Sequence, residues 1–133
     1  MSVVDELRNM VPELTELFPA IRILYLFGSQ ARGDAESKSD VDIGVMLDEK
    51  AYPQNPLLDL EIGYVVENRL RRPVDVVVMN HASPILQHQV VAGGKRLYEA
   101  DPEQRARYEL IAFKRYVDAR HYQERRFKAA VHG

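Results

Sequence analysis

Three aspartates lie where strands are predicted, and their spacing suits the binding of a cation. The segment DVDIGVML (40–47) alternates with period two, so its apolar residues share one face while Asp40 and Asp42 share the other. In PVDVVVM (73–79), a second strand-like segment, Asp75 again lies opposite the valines. A carboxylate in a strand costs free energy unless an opposite charge is near. The pattern therefore predicts a hard divalent cation, Mg²⁺, bound by oxygen ligands.

A Gly-Ser turn precedes the first aspartate by ten residues. The apolar run IRILYLF (21–27) predicts a buried strand, and Gly28 and Ser29 follow it. Backbone amides of such a turn and the Ser29 hydroxyl can bind phosphate oxygens, and glycine lets a phosphate approach the chain closely. Arg32 is a further phosphate candidate, with pairing to the acids that follow it as an equal alternative. A phosphate-binding turn and metal-binding acids together describe a nucleoside triphosphate site.

Helix and strand signals elsewhere predict an alternating chain. Apolar residues at 3-4 spacing over 3–17 indicate a first helix. The Asn-Pro pair at 55–56 predicts the start of a helix that ends near Leu70, since it combines a capping side chain with proline at the first helical position. The Ser-Pro pair at 83–84 predicts another helix, and the Gly-Gly pair at 93–94 would end it in the left-handed conformation.

The last third of the chain predicts a short strand and a long helix. KRLYEA (95–100) is a candidate strand or extended edge, and Asp101, a proline and Gln104 form a capping sequence for a helix to about Ala130. The order α, β, β, α, β, α, β, α favours an α/β or α+β fold. We expect a small mixed sheet with helices packed on one side.

The long helix, residues 102–130, has two features that bear on a partner. An apolar stripe predicts a core-facing seam over the first half, with two alternatives for the whole helix, one packed throughout and one that projects to a partner in its second half; the stripe residues are Ala106, Leu110, Phe113, Val117, Phe127 and Val131. Residues 103–133 carry eight basic and four acidic side chains, against ten and sixteen before them. An acidic partner, the acidic body of another chain and a solvated face all remain open.

Length and composition narrow the class of protein. At 133 residues the default is one domain over 1–133, and the chain has no cysteine, which excludes disulfides and thiolate metal sites. The N-terminal sequence lacks the pattern of a signal peptide, and no apolar run approaches the roughly 20 residues of a membrane span. We therefore expect a cytoplasmic protein that does not bind membranes.

Two other groups of charged or titratable residues have simpler interpretations. The four histidines, at 81, 88, 121 and 132, do not follow the ligand spacing of a zinc site. The three arginines at 69, 71 and 72 favour a helix C-terminus, where the dipole attracts cations, and a nucleotide or partner contact is the alternative.

The joint pattern resembles a known family. Asp-x-Asp alone is expected by chance in a chain with nine aspartates, but Gly-Ser at a fixed distance before it is specific. GSQARGDAESKSDVDIGV is similar to the minimal nucleotidyltransferase (MNT) family of the DNA polymerase β-like nucleotidyltransferase superfamily. The likeness extends through RPVDVVVMN and GGKRLYEA, so it covers roughly residues 20–100.

The resemblance implies a polymerase β-like fold and a Mg²⁺-dependent transfer from ATP. Asp40 and Asp42 would bind both of two Mg²⁺ ions, and Asp75 would ligate the metal at the attacking hydroxyl and help to remove its proton. Gly28 and Ser29, with Arg32, would bind the β and γ phosphates. An acceptor hydroxyl would attack the α-phosphorus, and pyrophosphate would leave.

Small members of this family resemble the antitoxins of HEPN/MNT toxin–antitoxin pairs. The implied partner is a HEPN-domain ribonuclease, and the implied acceptor is a tyrosine hydroxyl on it, with no direct binding of nucleic acid by this chain. Two alternatives remain at this point: a binding-only antitoxin or adaptor with the same fold, and a nucleotidyltransferase that modifies a small molecule such as an antibiotic.

Overall fold

The computed structural model describes residues 2–33 and 40–132, in which a four-stranded sheet holds the helices together. The elements are, in chain order, α1 (Val3–Leu17), β1 (Ile21–Phe27), α2 (Ser29–Arg32), β2 (Val41–Leu47), α3 (Ala51–Gln54), α4 (Leu58–Leu70), β3 (Val74–Val78), a 3₁₀ turn (Met79–His81), α5 (Pro84–Gly93), β4 (Lys95–Glu99) and α6 (Pro102–His132). The predicted fold class and the long last helix are confirmed. Within the described part of the chain, no helix is both long enough and apolar enough to cross a membrane.

The sheet is mixed, as predicted, with strand order β3-β2-β1-β4. β1 runs antiparallel to both of its neighbours, β2 and β4, whereas β2 and β3 are parallel. The segment at 95–100 that was predicted as a strand or extended edge is therefore a true edge strand. Because β2 lies between β1 and β3, residues from the ends of all three strands meet at one end of the sheet.

The larger core lies between one face of the sheet and helices α1 and α4. The 3-4 spacing predicted in residues 3–17 gives α1 a buried stripe that includes Leu7 and Leu14, both fully buried. The helix begins at the Ser2 cap, whose hydroxyl oxygen accepts a hydrogen bond from the Asp5 amide (3.1 Å). From α4, Ile62 and Val66 complete this layer.

The expectation that helices pack on one side only is wrong, because the opposite face is covered as well. Ile23 and Tyr25 of β1 pack there against Met79 and Val90, with Tyr108 of α6 at the margin. The reason lies in β1, which is buried on both faces. Its continuous apolar sequence is typical of such a strand rather than of one with a solvated side.

Helix ends agree with the sequence at one predicted start and differ at another. The Ser83 hydroxyl oxygen accepts from the Leu86 amide (3.2 Å), as predicted for the start of α5. At the Asn-Pro pair, the Asn55 side chain accepts from the Leu57 amide, but α4 begins only at Leu58. The proline therefore lies in the preceding turn and not in the first helical position.

The end of α5 differs from the prediction in conformation. Gly94 is extended (φ −91°, ψ 179°) rather than left-handed. A Cβ at this position would lie 2.4 Å from the Val90 carbonyl oxygen and 2.8 Å from that of Leu26. Glycine is therefore required here for close approach to two backbone segments, and its conformational freedom is not used.

Helix α6 packs on the body through a face that the sequence did not single out. Ala112 is buried and Tyr108 is half-buried, whereas Leu110 and Phe113 of the predicted seam are exposed. The predicted core-facing seam is thus wrong for the first half of the helix. The projecting second half is confirmed, since residues 120–131 are exposed.

Polar contacts fix the start of α6. Asp101 caps the helix through the Glu103 amide (3.0 Å), but Gln104 accepts a hydrogen bond from the Arg22 Nε instead of closing a capping box. Further along, the buried Tyr25 hydroxyl donates to Glu109 Oε1 (3.0 Å). These bonds hold the first turns of α6 against β1.

Candidate active site

The site is built on the parallel pair of strands β2 and β3. Asp42 and Asp75 occupy the same register position on the two strands, so their side chains leave the same face of the sheet side by side. β2 begins at Val41, so Asp40 lies one residue before the strand and not inside it as predicted. The Val41 amide donates to the Pro73 carbonyl (3.0 Å), and this bond aligns the two strands next to the aspartates.

The far end of the same strand pair is held by one side chain. Asn80 Oδ1 accepts from the Leu47 amide (2.9 Å), and Asn80 Nδ2 donates to the Leu47 carbonyl (2.8 Å). The register that places Asp42 beside Asp75 is therefore fixed at both ends of the ladder. The sequence reasoning missed this residue, for which an asparagine directly after a predicted strand was the only signal.

Gly28 brings the end of β1 into contact with Asp42. Phe27 pairs with Asp42 across the antiparallel ladder, and the chain then turns at Gly28 with φ +74° and ψ −156°, a conformation open in practice to glycine alone. A Cβ on Gly28 would lie 2.5 Å from Asp42 Oδ2. The carboxylate of Asp42 thus occupies the space that any other side chain would fill.

Two neighbouring carboxylates raise the negative charge around Asp42. Burial, then the charge of Asp75, then that of Asp40 raise the pKa of the Asp42 carboxyl above its ordinary value. Asp40 and Asp75 are exposed, and Asp42 is half-buried between them. An ionised Asp42 would be stabilised by a bound cation, so this donor set fits a divalent metal ion.

The donors are close in the fold but are not yet gathered into a complete coordination shell. Across residues 2–33 and 40–132, no group of three or more Asp, Glu or His side chains is already positioned to hold a metal ion. Mg²⁺ typically takes only one or two carboxylates and completes its shell with water and phosphates.

The predicted turn after Gly28 is present. Ser29 begins α2, a single helical turn, and the first amides of such a turn have no acceptor inside the helix. Arg32 is its last residue and is exposed, and Gly33 ends it in the left-handed conformation (φ +75°). The acids predicted as alternative partners of Arg32, Asp34 and Glu36, lie outside the described residues.

Gly44, which the sequence reasoning did not single out, lets other elements pack closely on β2 next to this site. A Cβ on Gly44 would lie 3.0 Å from Met79 Sδ and 3.1 Å from Val90 Cγ1. The 3₁₀ turn and α5 therefore lie directly on β2, two residues beyond Asp42. On this face the aspartates lie to one side of that contact, at the end of the sheet where β2 and β3 begin.

Two of the three arginines before β3, Arg69 and Arg71, have contacts at the end of α4. Arg69 forms an ion pair with Glu13 of α1. Arg71 adopts the left-handed conformation (φ 56°) as the cap, and its amide donates to the Glu67 carbonyl (2.7 Å). These contacts agree with the predicted role at a helix C-terminus.

Comparison with known proteins places this geometry in a family. The family described as "Polymerase beta, Nucleotidyltransferase" matches residues 9–103. The protein adenylyltransferase MntA of Aphanizomenon flos-aquae is 34% identical over 103 residues, which cover 72% of this chain and 69% of that protein.

Two solved structures are similar over nearly the whole chain. One is a toxin–antitoxin crystal structure with AMP-PNP, in which the matching chain has 29% identity and a TM-score of 0.67 and the match covers 92% of this chain and 94% of that one. The other is the tri-AMPylated Shewanella oneidensis HEPN toxin in complex with MNT antitoxin, with 27% identity, a TM-score of 0.64 and 96% coverage of both chains.

The matched region contains the Gly28 turn, both strands of the aspartate pair and the bonds that set their register. The resemblance inferred from the sequence is thus confirmed by the family match, by a named relative and by the fold. This chain belongs to the polymerase beta nucleotidyltransferase family.

Proposed function

We propose that this chain is a protein adenylyltransferase antitoxin, which transfers AMP from ATP to a tyrosine hydroxyl of a HEPN-domain toxin and thereby neutralises it. The observation that carries the proposal is the in-register pair Asp42 and Asp75 with Gly28 packed against one of its carboxylates. The named activity of the Aphanizomenon relative and the AMPylated toxin in the Shewanella complex support the choice of reaction and acceptor.

The metal-binding residues in this proposal are Asp40, Asp42 and Asp75. Burial, together with the carboxylates of Asp75 and Asp40, raises the pKa of Asp42. A raised pKa is expected of a carboxylate that binds a cation when the cation is absent. These groups would hold two Mg²⁺ ions, which when bound supply charge neutralisation at the triphosphate and at the acceptor oxygen. The exposed position of Asp75 suits the ligand nearest to an incoming protein substrate.

The phosphate-binding residues are Gly28, Ser29 and Arg32. With no side chain at Gly28, a phosphate could approach the same backbone that already lies against Asp42. The Ser29 hydroxyl and the amides of its turn would donate to the β and γ phosphates. Arg32, exposed at the end of the turn, would add a positive charge there. The AMP-PNP in the similar toxin–antitoxin structure supports ATP as the nucleotide.

In the reaction, the acceptor oxygen forms a bond to the α-phosphorus of ATP while the bond to the pyrophosphate oxygen breaks. Asp75 would accept the proton of the tyrosine hydroxyl, and its exposure on the strand pair supports this role. No covalent intermediate on the chain is needed. Catalysis would come from positioning and from charge neutralisation.

The test is transfer of label from ATP to a co-purified HEPN toxin in the presence of Mg²⁺. Wild type should label the toxin, Asp42→Ala should not, and Asp48→Ala should label it as wild type does. Asp48 is a matched control, because it is an exposed aspartate that directly follows the opposite end of β2. Toxin with its tyrosines changed to phenylalanine identifies the acceptor residue.

Each alternative function has its own outcome in this assay. Formation of the complex with no label in any variant would support the binding-only antitoxin or adaptor and reject the enzyme. Consumption of ATP with a free small hydroxyl compound, in the absence of toxin, would support the small-molecule nucleotidyltransferase. Label on the toxin that depends on Asp42 supports the present proposal alone.

A further inference from the structure

The second half of α6 carries a regular seam in which every residue is exposed except Val117, which is half-buried. Its residues follow one another at alternating steps of four and three, which is the a/d pattern of a coiled coil. They are Phe113, Val117, Arg120, Glu124, Phe127 and Val131. Large apolar members of this seam are more than half exposed: Phe113 by 54%, Phe127 by 71% and Val131 by 60%. Exposed apolar groups in this pattern indicate a helical partner.

The centre of the seam is polar and carries one charge of each sign. Arg120 and Glu124 lie one turn apart, with Nη2 and Oε1 3.9 Å from each other, and both side chains are well exposed (60% and 58%). An apolar pair lies on either side of them along the helix. The seam therefore has the order apolar, positive, negative, apolar.

We propose that this seam pairs with the same seam of a second copy of the chain, in antiparallel orientation about a two-fold axis beside residue 122. In that register Arg120 faces Glu124 of the second copy, and Glu124 faces Arg120. The apolar layers also match, because Val117 faces Phe127 of the second copy and Phe113 faces Val131. An interface of this kind is self-complementary, as two-fold symmetry requires.

Other registers of the same two helices are worse. A parallel, in-register pair would place Arg120 against Arg120 and Glu124 against Glu124 in consecutive core layers, and like charges in contact are destabilising. An antiparallel pair shifted by one heptad would set Arg120 against Val117 and Glu124 against Phe113, so each charge would lose its partner. The charged layer therefore selects one arrangement.

The length of the helix fits this arrangement. In the proposed register, position 132 lies opposite position 112, and Ala112 is the last buried residue of α6. The helix of one copy thus ends where the body of the other begins, after a seam of about 27 Å between Phe113 and Val131. Each paired segment, 113–131, carries six basic and two acidic side chains, so its overall charge opposes pairing and the preference rests on the central charged layer.

One flank of the interface works against pairing. Lys114 of one copy would lie near Lys128 of the other, and the long stems of lysine allow both ammonium groups to extend into water. The preference for the proposed antiparallel dimer therefore depends on the central layer of Arg120 and Glu124. Charge reversal of that layer is the sharpest test.

The experiment uses the full chain, with sedimentation velocity over a concentration series and native mass spectrometry. Wild type should dimerise. Arg120→Glu and Glu124→Arg should each raise the dissociation constant by about 100-fold or more, because each places four like charges at the axis. An equimolar mixture of these two variants should form a heterodimer, in which every charge again has an opposite partner, and their different masses identify it.

The control is Arg126→Glu, which makes the same charge change on the outer face of the same helix segment. Arg126 stands over Tyr122 at 5.7 Å, much as Arg120 stands over Tyr116 at 5.9 Å, so both variants lose a cation–ring contact, and Arg120→Glu also loses the ion pair with Glu124 of its own helix. This control should dimerise as wild type does. Circular dichroism of every variant should show unchanged helix content.

A wild-type chain that stays monomeric throughout the series overturns the proposal. So does a dimer that survives Arg120→Glu, or a mixture of the two reversed variants that forms no heterodimer. If wild type is monomeric and Arg120→Glu instead weakens binding of the HEPN toxin, the seam belongs to the toxin. The inference is independent of the proposed function, because an Asp42→Asn variant should lose adenylyl transfer and keep the dimer.

Discussion

Asp42 and Asp75 lie side by side at the same register position of two parallel strands, and Asp42 is the more buried of the two. Like charges on neighbouring strands destabilise a sheet. A fold that fixes this register at both ends, through Pro73 and Asn80, therefore retains an unfavourable contact. An unfavourable contact that the rest of the fold maintains is typical of functional sites.

Asp42→Asn should stabilise the ligand-free chain at neutral pH. Burial and two neighbouring carboxylates raise the pKa of Asp42 in the folded state, so its ionisation opposes folding. We expect an increase of about 0.5–1 kcal/mol in the free energy of unfolding, the size of a like-charge cross-strand contact, and a Tm higher by a few degrees. Thermal unfolding measures both.

The pH dependence provides the control for that prediction. The destabilisation by Asp42 is present once pH exceeds its raised folded pKa, and it disappears as the pH falls through that value toward the 3.8 of an unperturbed carboxyl. The difference between Asp42→Asn and wild type should therefore shrink on acidification. Asp48→Asn, a change at an exposed aspartate, should show neither effect. A constant difference across pH would reject the electrostatic explanation.

Gly28→Ala should damage both stability and transfer. The substitution forces alanine into a conformation reserved for glycine and drives its Cβ into Asp42 Oδ2. We expect a loss of about 2–4 kcal/mol and, because Asp42 must move, a transfer rate lower by about 100-fold or more. Urea unfolding and the labelling assay give the two values.

Gly33→Ala is the matched variant for Gly28→Ala. Gly33 has nearly the same φ (+75°), but among residues 2–33 and 40–132 nothing lies within 4 Å of the Cβ that alanine would add. Only the left-handed strain remains, at about 1 kcal/mol, and transfer should stay within about tenfold of wild type. Equal loss of activity in the two variants would mean that Asp42 is not the reason for glycine at position 28.

Much of the site could be predicted because local chemistry specifies it. The alternating pattern around Asp42 and the glycine before Ser29 each have a local cause, and the structure places these residues together. The contact between Gly28 and Asp42 could not be foreseen. It depends on the antiparallel register of β1 and β2, which no short segment encodes.

The errors arose where a pattern has two structural solutions. The seam of α6 is equally suited to a core or to a partner, and periodicity does not say which of two faces packs on the body. The prediction of helices on one side of the sheet was wrong because β1 is buried on both faces, for which its continuous apolar sequence is typical. The Gly-Gly pair at 93–94 predicted a left-handed helix end. In the fold, Gly94 is needed instead because two backbone carbonyls lie where a Cβ would be.

Tyr25→Phe should weaken the attachment of α6 to the sheet. The Tyr25 hydroxyl is buried and donates to Glu109, and both its burial and that carboxylate raise the pKa of the phenol. Loss of this donor should cost about 1–2 kcal/mol in chemical unfolding, since Glu109 keeps its ion pair with Arg96. Tyr122→Phe, at a site that is 61% exposed, should change stability by less than about 0.5 kcal/mol. An equal loss of stability in Tyr25→Phe and Tyr122→Phe would mean that the Tyr25–Glu109 hydrogen bond does not attach α6 to the sheet.

The most direct test of the central claim is the intact mass of a HEPN toxin incubated with this chain, ATP and Mg²⁺. We expect a toxin heavier by one or more AMP units with wild type and with Asp48→Asn, and unmodified toxin with Asp42→Asn or with chelator. Toxin modified equally by Asp42→Asn, or left unmodified by wild type while the complex forms, would contradict the assignment of this strand pair as the catalytic centre.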